Sequence, residues 1–218
     1  MTSMSWAKLS RTLIQVASLV VLALAVVPWW AGAAWPATAT ERSELARIDT
    51  YLNAITTLKA RFVQVAPDGA LSEGMFYLRR PGRLRFEYDA PNPILVVADR
   101  VWVVFYDKEL GQVDRLPLDS TPIAVLTRSE IKLEEAFDVT GLAAEPGLLQ
   151  VSLRDRESPD EGQITLVFSD RPLALRQWLV EDAQGLTTQI TLYDIELNIA
   201  LAPELFIFEE PASQLRHR

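Results

Sequence analysis

Arg79-Arg80-Pro81-Gly82-Arg83-Leu84-Arg85-Phe86-Glu87-Tyr88 is the stretch whose reading decides the fold. Two arginines lead into a Pro-Gly turn, and strict alternation follows. Leu84, Phe86 and Tyr88 share one face of a strand, while Arg83, Arg85 and Glu87 share the other. A period of two marks a strand with one apolar and one wet face. By the same count Arg80 stands on the apolar side, where a guanidinium requires acceptors because an unpaired buried charge is very costly. A solvated strand edge accounts for the spacing equally well.

Working outward, residues 61–65 and 71–78 read as a hairpin about Pro67-Asp68-Gly69, and 94–98 and 101–106 as a second pair about Asp99-Arg100. In 101–106 both faces are apolar. Trp102, Val104 and Tyr106 lie on one and Val101, Val103 and Phe105 on the other, so something must cover each side of the sheet. Residues 112–116 complete another hairpin. The strand rhythm then stops at Ser120-Thr121-Pro122, where Thr at the cap and Pro at the first helical position start a helix. Ile123, Ala124, Val125 and Leu126 make that turn apolar all round, which suits a lid sandwiched over the sheet, and 129–137 offer a second helical turn. Strands resume at 138–143, 148–154, 163–168, 173–181 and 186–196, separated by Gly, Pro, Ser and Asp turns. A last apolar segment spans 205–208. Before all of these, Leu45, Ile48, Leu52, Ile55 and Leu58 form a helical stripe from Thr40 onward, with Thr40 or Ser43 as its cap. The sum is one antiparallel sheet of ten or more strands, and sheets that large curl.

The 218 residues carry 21 basic and 29 acidic side chains, a net charge of −8. Lys8 and Arg11 are the only charges before Glu41, so the chain beyond the leader has 19 against 29, or −10. That balance repels phosphate backbones and argues against nucleic acid as a partner. Lys8 and Arg11, the apolar run 13–27 and small residues at Ala31-Gly32-Ala33 or Ala37-Thr38-Ala39 form a secretory signal over 1–39, cleaved near 33 or 39. A single domain then occupies 40–218. An uncleaved anchor is the competing reading, since 13–34 is long enough to span a bilayer. Cysteine is absent, which rules out disulfide staples and a lipid-modified N-terminus.

Catalytic chemistry finds little purchase. With His217 the only histidine and no cysteine, neither a His-activated nucleophile nor a common zinc set can be built. Ser129-Glu130-Ile131-Lys132 matches S-x-x-K but lacks its partner motifs. No catalytic residue, metal ligand or cofactor is expected. What remains is an apolar concavity beneath a detachable helix, suited to sheltering a lipid.

At these residues the chain resembles the outer-membrane lipoprotein carrier (LolA) family. Residues 79–88 are similar to its R-P-G-x-F/L-R-W/F-x-Y core, 89–107 to the block that follows, and 121–126 to its T-P-x-x-x-L lid segment. Leu175-Arg176-Gln177-Trp178 with Asp182-Ala183-Gln184-Gly185 is similar to its late strand–turn–strand, so the likeness runs over roughly 43–211. It implies a mainly β (α+β) fold, an incomplete antiparallel β-barrel of about eleven strands closed by short lid helices and an N-terminal helix. It implies a periplasmic monomer that takes acylated lipoproteins from an inner-membrane ABC exporter and passes them to an outer-membrane receptor. Arg80 falls on the arginine that latches the lid (Thr121, Pro122, Ile123, Val125, Leu126) through backbone carbonyls. Phe62, Phe76, Leu84, Phe86, Tyr88, Trp102 and Val104 are assigned to the lipid cavity. Leu84 and Phe86 stand where the family often has Phe and Trp, and the C-terminal tail departs from its usual ending. A binding module for another lipid or glycolipid is the alternative, since a fold does not fix its cargo.

Overall fold

The structure, a computed structural model, describes residues 38–210. The expected leader before Thr38 and His217 lie outside the described residues. One helix, α1 (Ala39–Asn53), precedes six strands, β1 (Thr57–Val65), β2 (Leu71–Arg79), β3 (Arg83–Tyr88), β4 (Ile94–Asp99), β5 (Trp102–Asp107) and β6 (Gln112–Pro117). Two 3-10 turns, Leu118–Ser120 and Pro122–Thr127, and the short helix α2 (Leu133–Ala136) follow. Five more strands complete the sheet: β7 (Phe137–Glu145), β8 (Leu148–Asp155), β9 (Gln163–Ser169), β10 (Ala174–Glu181) and β11 (Thr187–Leu197). A final 3-10 turn covers Pro203–Phe206.

All eleven strands join one antiparallel sheet in the order β6-β5-β4-β3-β2-β1-β11-β10-β9-β8-β7. The chain thus builds outward from β1 to one edge, jumps to the other edge, and returns to close beside β1. The jump is made by residues 118–136, so the segment expected to be a lid is the one that must bridge the two free edges. It lies against β9, and Ala124, Val125 and Leu126 are buried.

The alternation at 83–88 holds. Leu84 pairs with Leu78 and Ala98, and Phe86 with Phe76 and Val96, all on the inner face. Gly82 turns the chain between β2 and β3 with φ +73°, a conformation that favours glycine. Gly74 serves differently: a Cβ there would stand 2.2 Å from the Glu87 carbonyl oxygen and 2.8 Å from the Phe62 ring. Phe62 and Tyr88 are its two cross-strand partners, and their rings meet edge-to-face at 5.1 Å over the bare backbone.

α1 starts one residue before Thr40, and its cap lies two residues before the expected Thr40. Thr38 is the cap: its Oγ1 accepts from Glu41 N at 3.2 Å, and its own N–H donates to Glu41 Oε2 at 2.6 Å, a capping box. The helix also stops short of the stripe. Leu45, Ile48 and Leu52 are buried helical residues, whereas Ile55 lies in the connection and Leu58 in β1. Asn198 fixes this end, accepting from Thr56 N at 2.8 Å and donating to Ala54 O at 3.0 Å. Beneath the sheet's concave side, Tyr51 meets Phe168 edge-to-face at 5.9 Å and accepts from Leu175 N at 3.0 Å. The buried apolar residues among those described form one continuous cluster.

On the convex side, the C-terminal segment covers the sheet. The turn Pro203–Phe206 lies against β3 and β4, Arg85 Nη1 donates to Leu205 O at 3.3 Å, and Phe208 meets Tyr106 at 5.5 Å. This is the second cover that the doubly apolar β5 required.

Candidate functional site: a lidded apolar cavity

Period-two geometry gathers rings from distant strands on the concave face. Phe76 of β2 lies 4.6 Å from Phe86 of β3 and 5.3 Å from Trp178 of β10, and Phe62 of β1 lies 5.3 Å from Phe86. Phe62 and Phe76, expected in the cavity, are sealed in the core behind its lining, whereas Trp178 reaches it. Above them opens a cavity of about 470 Å³, walled by Leu84, Phe86, Tyr88, Val96, Val103 and Phe105 on one side and by Trp178, Val180 and Ile190 on the other. Thr121, Pro122 and Ile123 roof it. Tyr88 donates to Gln64 at 2.7 Å, and burial pushes its phenol up to about 12.

Two more of the expected cavity residues are elsewhere. Trp102 and Val104 face outward: Val104 pairs with Val97, which pairs with Arg85 on the convex side. Val104 is buried there on the face that the C-terminal segment covers, and Trp102 is part-exposed near the sheet's edge. Their in-facing counterparts are Val103 and Phe105, opposite Ala98 and Val96. Val96, Trp178, Val180 and Ile190 were missed as well. Pairing Ala98 across the turn would have identified Val103 and Phe105, but the inward parity of β4 itself depends on the Pro91–Pro93 connection.

The segment expected to be a lid is a 3-10 helix, and the Thr121 side chain does not cap it as expected: its hydroxyl turns back to Leu118 O at 2.6 Å. Its far end is held from below. Arg80 Nε donates to Arg128 O, the residue that ends the turn, at 2.6 Å, and Gly82 N donates to Thr127 O at 2.7 Å. The rest of the Arg80 fork reaches the end of α1, donating to Leu52 O, to Ile55 O at 3.3 Å and to Asn53 Oδ1 at 3.2 Å. Asn53 in turn exchanges two bonds with the backbone of Ile131, at 2.7 and 2.9 Å. Arg80 therefore ties strand, helix and lid into one knot with carbonyl acceptors alone. Burial lowers its pKa from the ordinary value, with no carboxylate to offset it. Beyond the knot, Arg128 pairs with Asp155 at 2.9 Å and sits 4.7 Å over the Phe137 ring.

The S-x-x-K match has an electrostatic explanation, because Lys132 lies 3.6 Å from Glu130 and 3.5 Å from Glu135. Among the described residues no group of three His, Cys, Asp or Glu could hold a metal.

Comparison with known proteins adds the family. A model described as outer membrane lipoprotein carrier protein LolA matches residues 53–209. An outer-membrane lipoprotein carrier protein from Methylococcus capsulatus is 31% identical over 185 residues, covering 81% of this chain and 88% of that one. One from Alkalilimnicola ehrlichii is 36% identical over 186 residues, covering 79% and 81%. Among solved structures, a LolA superfamily protein from Nitrosomonas europaea superposes with a TM-score of 0.42 at 13% identity, over 79% of this chain and 99% of that one.

Proposed function

Because the chain belongs to the LolA family of outer membrane lipoprotein carriers, we propose that it is a periplasmic, non-enzymatic carrier that holds lipoprotein acyl chains in the cavity between the sheet and the 121–123 roof. The observation that carries this reading is the cavity itself. It is lined mostly by apolar side chains, several of them rings, and roofed by a segment that can leave without breaking a strand pairing.

A triacylated lipoprotein exposes about forty methylenes, and at ~0.8 kcal/mol each roughly 30 kcal/mol keeps it out of water. Unaided crossing of the periplasm is negligible. The cavity of about 470 Å³ opens to solvent beside the roof, so acyl chains enter there and displace the roof as they fill it. The closed state held by Arg80 then sets affinity, because the free energy of opening subtracts from that of lipid binding. An inner-membrane ABC exporter would load the open state, an outer-membrane receptor would unload it, and closure of the empty carrier would favour release.

A release assay tests the proposal. Spheroplasts bearing a labelled lipoprotein are incubated with residues 38–218, and the soluble fraction is examined for a one-to-one complex. Such a complex is expected. Absence of release, with a different lipid found in the cavity, would overturn the lipoprotein assignment.

A further inference from the structure

In a chain this acidic, one corner of the sheet holds three guanidiniums with no acidic partner. Arg79 and Arg83 stand directly opposite each other across β2 and β3, on the convex face. Arg100 sits at the tip of the β4–β5 turn with φ +94°, its side chain laid against Gly82. Among the described residues none of the three makes an ion pair or a side-chain hydrogen bond. Like charges directly opposite each other weaken a ladder, so the fold does not explain the arrangement. Partial burial lowers the Arg83 pKa, and Arg100 and Arg79 lower it further. Asp99 is also opposite Arg83, but its Oδ1 is occupied by the N–H groups of Val101 and Trp102 at 3.1 and 3.0 Å. Past Arg100 the same tip presents Val101, 61% exposed, and Trp102, 43% exposed.

We propose that this corner docks the carrier onto an anionic phospholipid surface, with Arg79, Arg83 and Arg100 taking lipid phosphates while Val101 and Trp102 enter the interfacial zone. Indole and guanidinium side by side are the chemistry of that zone, where an amphipathic ring meets headgroups and each basic residue contributes attraction. The apolar part is a protruding turn rather than a groove, which suits a soft surface better than a packed protein interface. Asp119 and Glu130 border the depression beside Arg100, and together with the net charge of −10 they confine contact to the tip. The attachment is therefore weak and oriented, as a shuttle between two membranes requires.

The test is co-sedimentation of residues 38–218, without cargo, with vesicles of phosphatidylglycerol and phosphatidylcholine in equal parts or of phosphatidylcholine alone. Binding is expected only to the first, and it should vanish near 1 M salt, where the Debye length is about 3 Å. At ~1 kcal/mol per basic residue, R100Q should lower affinity about fivefold and R79Q/R83Q/R100Q more than tenfold. W102S should lower it several-fold with charge unchanged. Because the three arginines hold no partner, the triple variant should melt no lower than the wild type, and R100Q and W102S serve if it does. Equal binding to both vesicles, or wild-type binding by these variants, overturns the proposal. Loss of cargo release by the triple variant without any vesicle binding also overturns it, in favour of a protein partner. Cargo takes no part, so failure here leaves the carrier reading untouched.

Discussion

Replacing Arg80 with leucine should make the carrier slower to let go. Of its four acceptors, only Arg128 O belongs to the lid segment, at 2.6 Å, while Leu52 O, Ile55 O and Asn53 Oδ1 belong to α1 and its exit. Arg80→Leu removes one charge-assisted bond across the lid, and such bonds contribute about 1.5–3 kcal/mol. That shifts the closed-to-open ratio by roughly 10- to 150-fold. The same factor passes into cargo affinity, so transfer of a labelled acyl cargo to acceptor vesicles should slow by at least tenfold. Amide exchange at 123–127 in the empty protein should quicken by a similar factor. The α1 carbonyls also lose a partner, so global stability must be measured by denaturant and the lid effect read as the excess over it. Arg80→Lys, able to reach fewer acceptors, should fall between. Wild-type transfer by Arg80→Leu would refute the latch.

Phe105→Asp, which puts a carboxylate in the cavity wall, should lower acyl-probe binding at least tenfold, while Val104→Ala on the outer face should leave it unchanged; reversal of that pattern would contradict the register. Tyr88 is pushed up to about 12 by burial, above an unfolded value near 10, so its neutral form is favoured on folding. Stability is thus fully present below about pH 10 and declines toward pH 12, and Tyr88→Phe should flatten the decline in a denaturation series; equal slopes would exclude it. Cleavage after Ala39 would remove the Thr38 cap, worth about 1 kcal/mol. The mature protein should therefore begin at Ala34, and a mass starting at Thr40 would contradict that.

Strand content was legible because each strand is short, alternating and bounded by turn residues, and the stretch from Arg83 to Tyr88 is the clearest case. The break in the strand rhythm was legible through Thr121-Pro122, although the residues form a 3-10 turn and the threonine bonds backward. Two things were hidden. In β5 both faces are apolar, so alternation carries no sign of which looks inward, and the deciding register passes through the proline-marked connection from Asp89 to Pro93. At α1, the apolar spacing of three and four continues past the helix end, because Ile55 and Leu58 are buried for the sheet's reasons while Asn198, far along the chain, stops the helix. Both failures arise where distant contacts overrule a local pattern.

The strand order also governs how the carrier comes into being. Nine of its ten pairings join consecutive strands, and only β1 with β11 links the halves. Hairpins close over short loops, whereas the seam joins Val65 to Gln189 and Leu58 to Leu197. The entropy of closing so long a loop grows only as its logarithm, but contacts of such sequence separation slow folding. A chain emerging N-terminus first would form the β1–β6 meander early and leave β1 with an unpaired edge until β11 arrives. While the chain folds, that bare edge, rather than the finished cavity, is the part most exposed to aggregation.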